Sequence, residues 1–464
     1  MESNMKIYLL CILLTLFILP VNADTIHRIS FAEDSVIIES TLILESDDLL
    51  DYWSLSLNLP NNSEIINLSD ELGEIEYNIS NSKLSFRTNR KRTTIRVVNL
   101  SFSKKLDEKF GLKLIDLNLF GFKNDTTIAI SEKTPYFFAH DAEMEFGKEI
   151  KARKKGGINV RMIFGGKQES DYYFTNSDLD LNQIDDYCWI IEGVTNLKTP
   201  VKFAIIMLPD KEYNLEVEEW SAGTYSEGLI YVRENSSETD RRSTILHETT
   251  HGFNSFALDW DKTDISWFDE GMACYVGSVV YRLLNETRPE IFGEDIKWRE
   301  GITIYTLKPQ QTPEDLYNYH KSGEEWMLDW YPKKGNREFG YAYSELFVRE
   351  YLFENGSAMH KVYENLLKIN KSIEDPEERN ELIAKLLGKK VRPCYSETLE
   401  EVRNCASKLN HMSFSIPEVE GKNITHKIEI PKPIIIEEES QIKSFLGMIK
   451  ELFNNILTWI SNNI

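Results

Sequence analysis

His247-Glu248-Thr249-Thr250-His251 has the form H-E-x-x-H, in a segment whose pattern predicts a helix. Residues four apart lie on one face of an α-helix, so the imidazoles of His247 and His251 can reach a single metal ion. Glu248 points about 100° further around the helix axis. It can therefore stand beside the ion and take a proton from a water molecule without being a ligand. The motif indicates a metal-dependent hydrolase with two histidine ligands and Glu248 as the catalytic base.

A candidate for the third metal ligand stands in Trp267-Phe268-Asp269-Glu270-Gly271-Met272-Ala273. A catalytic zinc site needs three protein ligands and one open position. Within the 18 residues 252–269, Gly252 and the Asp259/Asp261 segment can end the first helix and turn the chain, so that an antiparallel helix presents Glu270. The alternative is an ordinary exposed glutamate at a helix start. Together with the two histidines, Glu270 predicts Zn²⁺ as the cofactor.

With these residues the chain resembles the gluzincin metallopeptidases, whose pattern is H-E-x-x-H, 18 residues, and then glutamate within W-x-x-E-G-x-A. Every position of that pattern is filled, by His247, Glu248, His251, Trp267, Glu270, Gly271 and Ala273. Within the gluzincins the chain is most similar to the peptidase MA-like domains, shorter relatives of the aminopeptidase-N catalytic core. The resemblance covers about residues 140–360. It implies a thermolysin-like zincin domain with peptidase activity.

The resemblance also implies a substrate cleft. Such enzymes have a strand with a glycine-rich lead-in before the zinc helix, and Gly223, Thr224 and Tyr225 match it as residues that would bind an extended peptide. They also place a tyrosine where it can stabilise an oxyanion. Register favours Tyr341, with Tyr343 as the second choice. Both could instead be packing residues in a chain with 21 tyrosines.

One departure concerns the substrate's amino terminus. Aminopeptidase-N relatives bind the free amine with a Gly-x-Met-Glu-Asn strand, and the sequence contains no such run. Glu216, Glu218 and Glu219 precede Gly223, and nothing singles out one of them as an amine ligand. The sequence therefore gives no support for exopeptidase activity.

The chain as a whole is predicted to be an α+β protein. Residues 24–135 alternate apolar and polar side chains in short runs, which predicts an antiparallel, sandwich-like β domain. Residues 136–385 form the expected catalytic domain, with an α/β part over 136–240 and a mainly helical part over 241–385. The α/β part begins with a strand near 159–164. A mixed tail follows over 386–436, and 437–464 form an amphipathic helix.

The first residues predict export. Lys6 precedes an apolar run over 7–19, and Val21-Asn22-Ala23 supplies small residues for cleavage, so 1–23 are predicted to be a signal peptide. The alternative is a retained N-terminal anchor. The protein is therefore expected to be secreted or at the cell surface, where sequons such as that at Asn285 permit glycosylation.

The cysteines agree with export. Cys11 leaves with the signal, and an even count of cysteines outside the cell permits disulfides. Cys394 and Cys405 are the expected local pair. Cys188 and Cys274 stand on predicted helices and are interpreted as buried thiols.

Charge excludes one class of partner. The formal net charge is −22, and phosphate binding needs clustered positive charge, so nucleic acid is excluded. A basic run over 87–96 is interpreted as the polar edge of a hairpin. In the C-terminal helix only Lys443 and Lys450 are basic. Its apolar stripe either docks on the protein's own body or makes a peripheral membrane contact.

Three functions compete for this sequence. The first is a secreted zinc peptidase that acts on a peptide or protein substrate. The second is a non-catalytic surface binding or structural protein on the same fold. The third is a zinc hydrolase that acts on a cell-envelope peptide cross-link. Glu248 favours an enzyme, because a catalytic base contributes little to metal affinity.

Overall fold

A β-rich N-terminal part precedes an α/β part and a set of helices, as seen in a computed structural model. The structure describes residues 23–123, 125–132, 134–139, 142–218, 220–257, 265–280, 313–324, 326–333, 335–354, 358–366, 378, 381–382 and 392–410. Residues 1–22 of the predicted signal peptide, most of the mixed tail and the predicted helix over 437–464 lie outside the described residues.

The described strands, numbered in chain order, are β1 (Ala23–Phe31), β2 (Ser35–Asn58), β3 (Ser63–Asp70), β4 (Gly73–Glu74), β5 (Tyr77–Ser80), β6 (Lys83–Lys105), β7 (Asp107–Lys109), β8 (Leu112–Leu119), β9 (Thr126–Glu132), β10 (Tyr136–Ala139), β11 (Glu143–Phe146), β12 (Glu149–Lys155), β13 (Ile158–Phe164), β14 (Gln168–Glu169), β15 (Tyr173–Thr175), β16 (Phe203–Leu208), β17 (Gly223–Ser226) and β18 (Leu229–Arg233).

The described α-helices are α1 (Leu181–Thr195), α2 (Asp210–Glu216), α3 (Glu238–Ala257), α4 (Ser266–Cys274), α5 (Pro313–Ser322), α6 (Arg337–Glu354), α7 (Ala358–Leu366) and α8 (Leu399–Asn410). A π-helical turn, Tyr275–Val280, continues α4, and a 3₁₀ turn, Trp326–Asp329, precedes α6. The predicted α+β class is confirmed.

Two sheets form the N-terminal β part. In the described part of the chain one sheet has nine strands, with the order β11-β12-β9-β1-β2-β6-β3-β4 and β5 beside β6, and the other has the order β10-β13-β8-β7. Successive side chains of a strand point to opposite faces. Val36, Leu100, Leu117 and Val160 therefore point inward from both sheets into one buried apolar cluster, which makes this part a sandwich.

The sandwich differs from the prediction in two respects. Its pairing is not wholly antiparallel, because β9 lies parallel to β1 after the chain has passed through β7 and β8 in the other sheet. The sequence pattern predicts that the β domain ends at residue 135. In the structure β13 pairs with β8 along its whole length, so this part extends to Phe164. The same alternation of apolar and polar residues runs on both sides of residue 135, so the pattern alone does not mark the boundary.

A smaller sheet supports the candidate site. Its order is β14-β15-β16-β18-β17, with β15, β16 and β18 parallel and with β14 and β17 antiparallel at the two edges. The chain passes from β18 directly into α3. Helix α3 continues through Gly252 to Ala257, so Gly252 does not end this helix as predicted. The Asp259/Asp261 segment lies outside the described residues. A side chain at Gly252 would lie 2.6 Å from the Phe203 ring, and close packing of the helix on β16 accounts for this glycine.

Covalent and apolar features complete the fold. The predicted disulfide between Cys394 and Cys405 is confirmed, with the two Cα atoms 5.6 Å apart, and Cys188 and Cys274 are buried thiols that form no disulfide. Within the described residues, no helix combines the length and the hydropathy needed to cross a bilayer.

Candidate metal centre

Helix α3 carries both histidines on one face because its other faces are fixed in the core. Ile245, Leu246 and Phe253 are buried. Thr249 and Thr250, the two central residues of the motif, are also buried, and each hydroxyl donates to the carbonyl oxygen four residues earlier. The sequence therefore fixes the rotation of α3, and His247 and His251 remain only partly buried.

Helix α4 presents Glu270 to the same place. Trp267 and Phe268 are buried and anchor the helix, with Trp267 edge-on to Phe347 of α6. A Cβ atom at Gly271 would lie 2.6 Å from the carbonyl oxygen of Ser344. Glycine at this position thus lets α4 and α6 pack with their backbones in contact, and this packing sets the position of Glu270.

The three predicted ligands come together. His247 Nε2 and His251 Nε2 are 3.2 Å apart, and Glu270 Oε2 lies 3.4 Å from the first and 3.5 Å from the second. Zinc bonds of about 2.0–2.2 Å in tetrahedral geometry place ligand atoms roughly 3.3–3.5 Å apart. Glu270 Oε2 is buried and has no hydrogen-bond partner. This donor set therefore fits a zinc ion.

Glu248 stands beside this triangle. One of its carboxylate oxygens and a ring nitrogen of each histidine lie within 4.8 Å of one another. The backbone N–H of Tyr225 donates to the Glu248 carboxylate, which orients it. Burial raises the pKa of Glu248, and the neighbouring imidazoles oppose this rise only in part. A carboxylate so placed suits proton transfer rather than metal ligation.

Gly223 makes that orientation geometrically feasible. A Cβ atom there would overlap the Thr244 side chain and would lie 3.0 Å from Glu248 Cγ and from Glu248 Oε1. Only a residue without a side chain lets the edge strand β17 approach α3 so closely. The three predicted substrate-binding residues, Gly223, Thr224 and Tyr225, all line the cleft. The Tyr225 ring also packs on Phe203, and its hydroxyl contacts Ser255.

Sequence reasoning missed a buried chain of hydrogen bonds behind His251. His251 Nδ1 bonds to Asp269 Oδ2, Asn254 Nδ2 donates to Asp269 Oδ1, and the Tyr363 hydroxyl donates to Asn254 Oδ1 at 2.6 Å. A carboxylate on one ring nitrogen fixes the histidine tautomer and leaves the other nitrogen for the metal. The available signal was Asp269 itself, since it directly precedes the predicted ligand Glu270.

The predicted ligands shift one another's pKa values. Burial alone would raise the pKa of Glu270, but the two histidines outweigh it and lower this pKa to about 2. Burial would likewise lower the pKa of His251, yet Asp269 and Glu270 raise it well above its ordinary value. Glu270 is therefore ionised at neutral pH, and its negative charge favours a cation at this position.

The metal site opens into a cleft of about 1050 Å³, bordered by β17 on one side and by the start of α6 on the other. Tyr341 lines this cleft and packs edge-on against Trp330. Tyr343 is buried among Tyr319, Phe339 and His320, away from the cleft lining. The structure therefore places Tyr341, the first choice for the oxyanion ligand, in the lining of the cleft.

The described acidic residues before Gly223 already have cationic partners. Glu216 lies 2.5 Å from Lys109 Nζ, and Glu218 lies 2.9 Å from Lys333 Nζ. Glu219 lies outside the described residues. The described residues of β17, Gly223–Ser226, contain no carboxylate that could bind a substrate amine.

The sequence matches no protein-family model and no curated protein. Among solved structures, the chain is similar to an M1 zinc metallopeptidase from Deinococcus radiodurans, with 12% identity, 86% of this chain and 96% of that chain covered, and a TM-score of 0.32. It is also similar to native leukotriene A4 hydrolase from Saccharomyces cerevisiae, with 12% identity, 82% and 69% covered, and a TM-score of 0.31.

Proposed function

We propose that this protein is a zinc-dependent peptidase. The observation that carries the proposal is the triangle of His247 Nε2, His251 Nε2 and Glu270 Oε2, with sides of 3.2–3.5 Å, beside the buried Glu248. Zinc held by these three residues would supply a Lewis acid that makes a water molecule more acidic and polarises a carbonyl group. The protein's own residues account for the other parts of the reaction.

Glu248 moves the proton. Its carboxylate takes a proton from the attacking water and later gives it to the nitrogen of the departing amine. Burial raises the pKa of Glu248 and so makes the protonated form accessible, as the second transfer requires. The hydrogen bond from the Tyr225 N–H keeps the carboxylate directed at the site through both transfers.

Tyr341 and β17 position the substrate. The Tyr341 side chain lines the same cleft as His247 and Glu248. From there its hydroxyl can donate to the oxygen of the reacting carbonyl. Strand β17 lies at the edge of its sheet, so an extended peptide can add to it as a further strand. The exposed Leu215 and Tyr331 add apolar surface to the cleft for substrate side chains.

We also propose that the enzyme acts outside the cell. The predicted signal peptide motivates this assignment, and the Cys394–Cys405 disulfide supports it, because structural disulfides persist mainly in oxidising compartments. Secretion of the full chain from a host cell, followed by mass measurement of its N-terminus, tests it. A mature chain that still begins at Met1 would favour a retained anchor.

The decisive experiment compares Glu248→Gln with the wild type for zinc content and peptide hydrolysis. We expect about one zinc per chain in both proteins, and a loss of kcat of about 10²–10⁴-fold in the variant, because the proton acceptor is gone. Glu238→Gln is the matched control, since Glu238 lies on the same helix but pairs with Arg242 at its exposed start. Equal turnover in Glu248→Gln and the wild type would overturn the mechanism.

The same experiment separates the enzyme from the non-catalytic alternative. A zinc-loaded wild type that cleaves no member of a diverse peptide library would favour a binding protein. Cleavage of branched envelope peptides alone would favour the cross-link hydrolase.

A further inference from the structure

The basic side chains around the cleft differ in whether they have an acidic partner. The lysines that approach its acidic side chains are paired, Lys109 with Glu216 and Lys333 with Glu218. Arg337 also lines the cleft, and within the described residues its guanidinium has no carboxylate partner. In a chain with a net charge of −22, a cation without an acidic partner in a cleft is a candidate ligand for an anion.

Trp220 holds this guanidinium in place. The guanidinium carbon lies 4.2 Å from the centroid of the Trp220 ring, and Trp220 is 43% exposed on the same cleft. An arginine stacked on an aromatic face keeps its N–H groups free in the plane of the guanidinium, where they can donate in pairs to a carboxylate. The stacking also removes part of the conformational freedom that binding would otherwise cost.

The position of this pair relates it to the reaction. Arg337 is the first residue of α6, four residues before Tyr341, so both side chains lie on one face of the helix, one turn apart. Trp220 lies three residues before Gly223, where the edge strand begins. Trp220 and Arg337 therefore join the two walls of the cleft at the Gly223 end of β17. A peptide that pairs with β17 passes them within a few residues of the cleaved bond.

We propose that Trp220 and Arg337 form an anion subsite that selects a substrate carboxylate close to the cleaved peptide bond. This inference rests on the proposed peptidase function. The carboxylate belongs either to an aspartate or glutamate side chain or to the peptide's C-terminus. The same guanidinium would bind both, in a two-point contact that lysine cannot reproduce.

The test uses the zinc-loaded full chain and peptides built around a bond that the wild type cleaves. In one set, acetylated and amidated peptides carry a single Glu or Gln, moved through three positions on each side of the bond. In the other set, a neutral peptide ends in a free carboxylate or an amide. We expect kcat/KM to be about tenfold higher for Glu than for Gln at one position, or for the free carboxylate, as a charged hydrogen bond predicts.

Variants identify the residue responsible. In Arg337→Gln the ratio of the two kcat/KM values should fall to about one, and Arg337→Lys should restore it only in part. Arg403→Gln is the charge-matched control, because Arg403 pairs with Glu314 and does not line the cleft. The thermal midpoint of each variant confirms that it is folded.

Each outcome is informative. A preference for internal Glu identifies an acidic side chain as the ligand, and a preference for the free terminus identifies a carboxypeptidase-like specificity. Equal cleavage of all peptides by the wild type, or a preference that survives in Arg337→Gln, would overturn the subsite. Failure to find any peptide bond that the zinc-loaded wild type cleaves, from which these sets could be built, would overturn the peptidase function as well.

Discussion

Asp269 determines which nitrogen of His251 is available to a metal. Its carboxylate occupies Nδ1 of His251 and is itself held by Asn254, which accepts a hydrogen bond from Tyr363. All three supporting residues are buried. The metal affinity of the site therefore depends on side chains that cannot touch the ion.

Replacing Asp269 by Asn should weaken zinc binding by about 10–100-fold, as found for partners of metal-bound histidines. The amide keeps the shape of the carboxylate but loses its charge and can turn its NH₂ group toward the imidazole. Competition with a chromogenic zinc chelator measures the affinity. Tyr363→Phe removes only the last hydroxyl of the hydrogen-bond series behind His251 and should weaken zinc binding less. An unchanged affinity in Asp269→Asn would mean that the tautomer is fixed in another way.

Gly223→Ala should lower kcat/KM by about 10²-fold, the usual effect of moving a catalytic group by about 1 Å. The added methyl group would overlap Thr244 and press against Glu248, so β17 or the carboxylate must move. Zinc content should not change, because the atoms nearest to the new methyl group belong to Thr244 and Glu248 and not to a predicted ligand. Ser226→Ala is the control on the same strand, since the Ser226 side chain is exposed. Full activity in Gly223→Ala would show that the strand can shift without disturbing the base.

Among the secondary-structure elements, β1 introduces a histidine into the sandwich. His27 is fully buried, its Nε2 contacts the Phe120 carbonyl oxygen at 2.8 Å, and its Nδ1 lies 2.8 Å from the Ser40 hydroxyl. Burial lowers the pKa of His27 to about 4, and the bond to Phe120 opposes this only in part. The neutral imidazole is therefore the form that the folded sandwich favours.

This burial predicts a loss of stability in acid. The pKa of His27 is about 4 in the folded state and 6.5 in the unfolded chain, so the stabilisation is complete above pH 6.5 and is lost as the pH falls toward 4. Between about pH 7.5 and pH 5 this histidine should remove about 2 kcal/mol from the free energy of unfolding. Urea unfolding of the wild type and His27→Gln at both pH values measures the difference.

His320, whose pKa burial also lowers to about 4, is present in both proteins and cancels in that comparison. Equal pH dependence of the wild type and His27→Gln would contradict the assignment.

The sequence predicted those features whose signal lies within a few neighbouring residues, and it missed those that depend on tertiary packing. The ligand positions on α3 were predictable because 3.6 residues per turn fixes the relation between His247 and His251. The partners Asn254 and Tyr363 were not, because they meet Asp269 only through tertiary packing. Gly252 was misread because glycine ends helices and also permits close helix packing, and only the approach of Phe203 distinguishes the two.

At the scale of the whole molecule, a metal would add a further link between helices α3 and α4, which also pack directly on each other. Helix α3 packs on the smaller sheet and carries two donor atoms, and α4 packs on α6 and carries the third. A ligand that binds only the folded state stabilises it by about 4 kcal/mol when its concentration exceeds Kd a thousandfold. Removing zinc with a chelator should therefore lower the thermal midpoint, and adding zinc should restore it.

Glu270→Ala tests the origin of that shift, since its thermal midpoint should respond much less to chelator and to zinc. Differential scanning calorimetry with and without chelator measures it. A wild type that loses its zinc without any change in midpoint would show that the direct packing of α3 on α4 suffices for its stability.

The contact between Gly271 and Ser344 also bears on how a substrate enters. Because α4 and α6 touch through their backbones, Glu270 and Tyr341 must move together, and an ion would tie both to the histidines of α3. A hinge motion that moved α4 and α6 away from β17 would break a metal–ligand bond. The cleft is therefore expected to keep its width instead of opening and closing. For the proposed peptidase, a polypeptide substrate would then have to enter the cleft lengthwise as an extended strand. Tightly folded proteins would therefore be poor substrates unless they offer an extended loop.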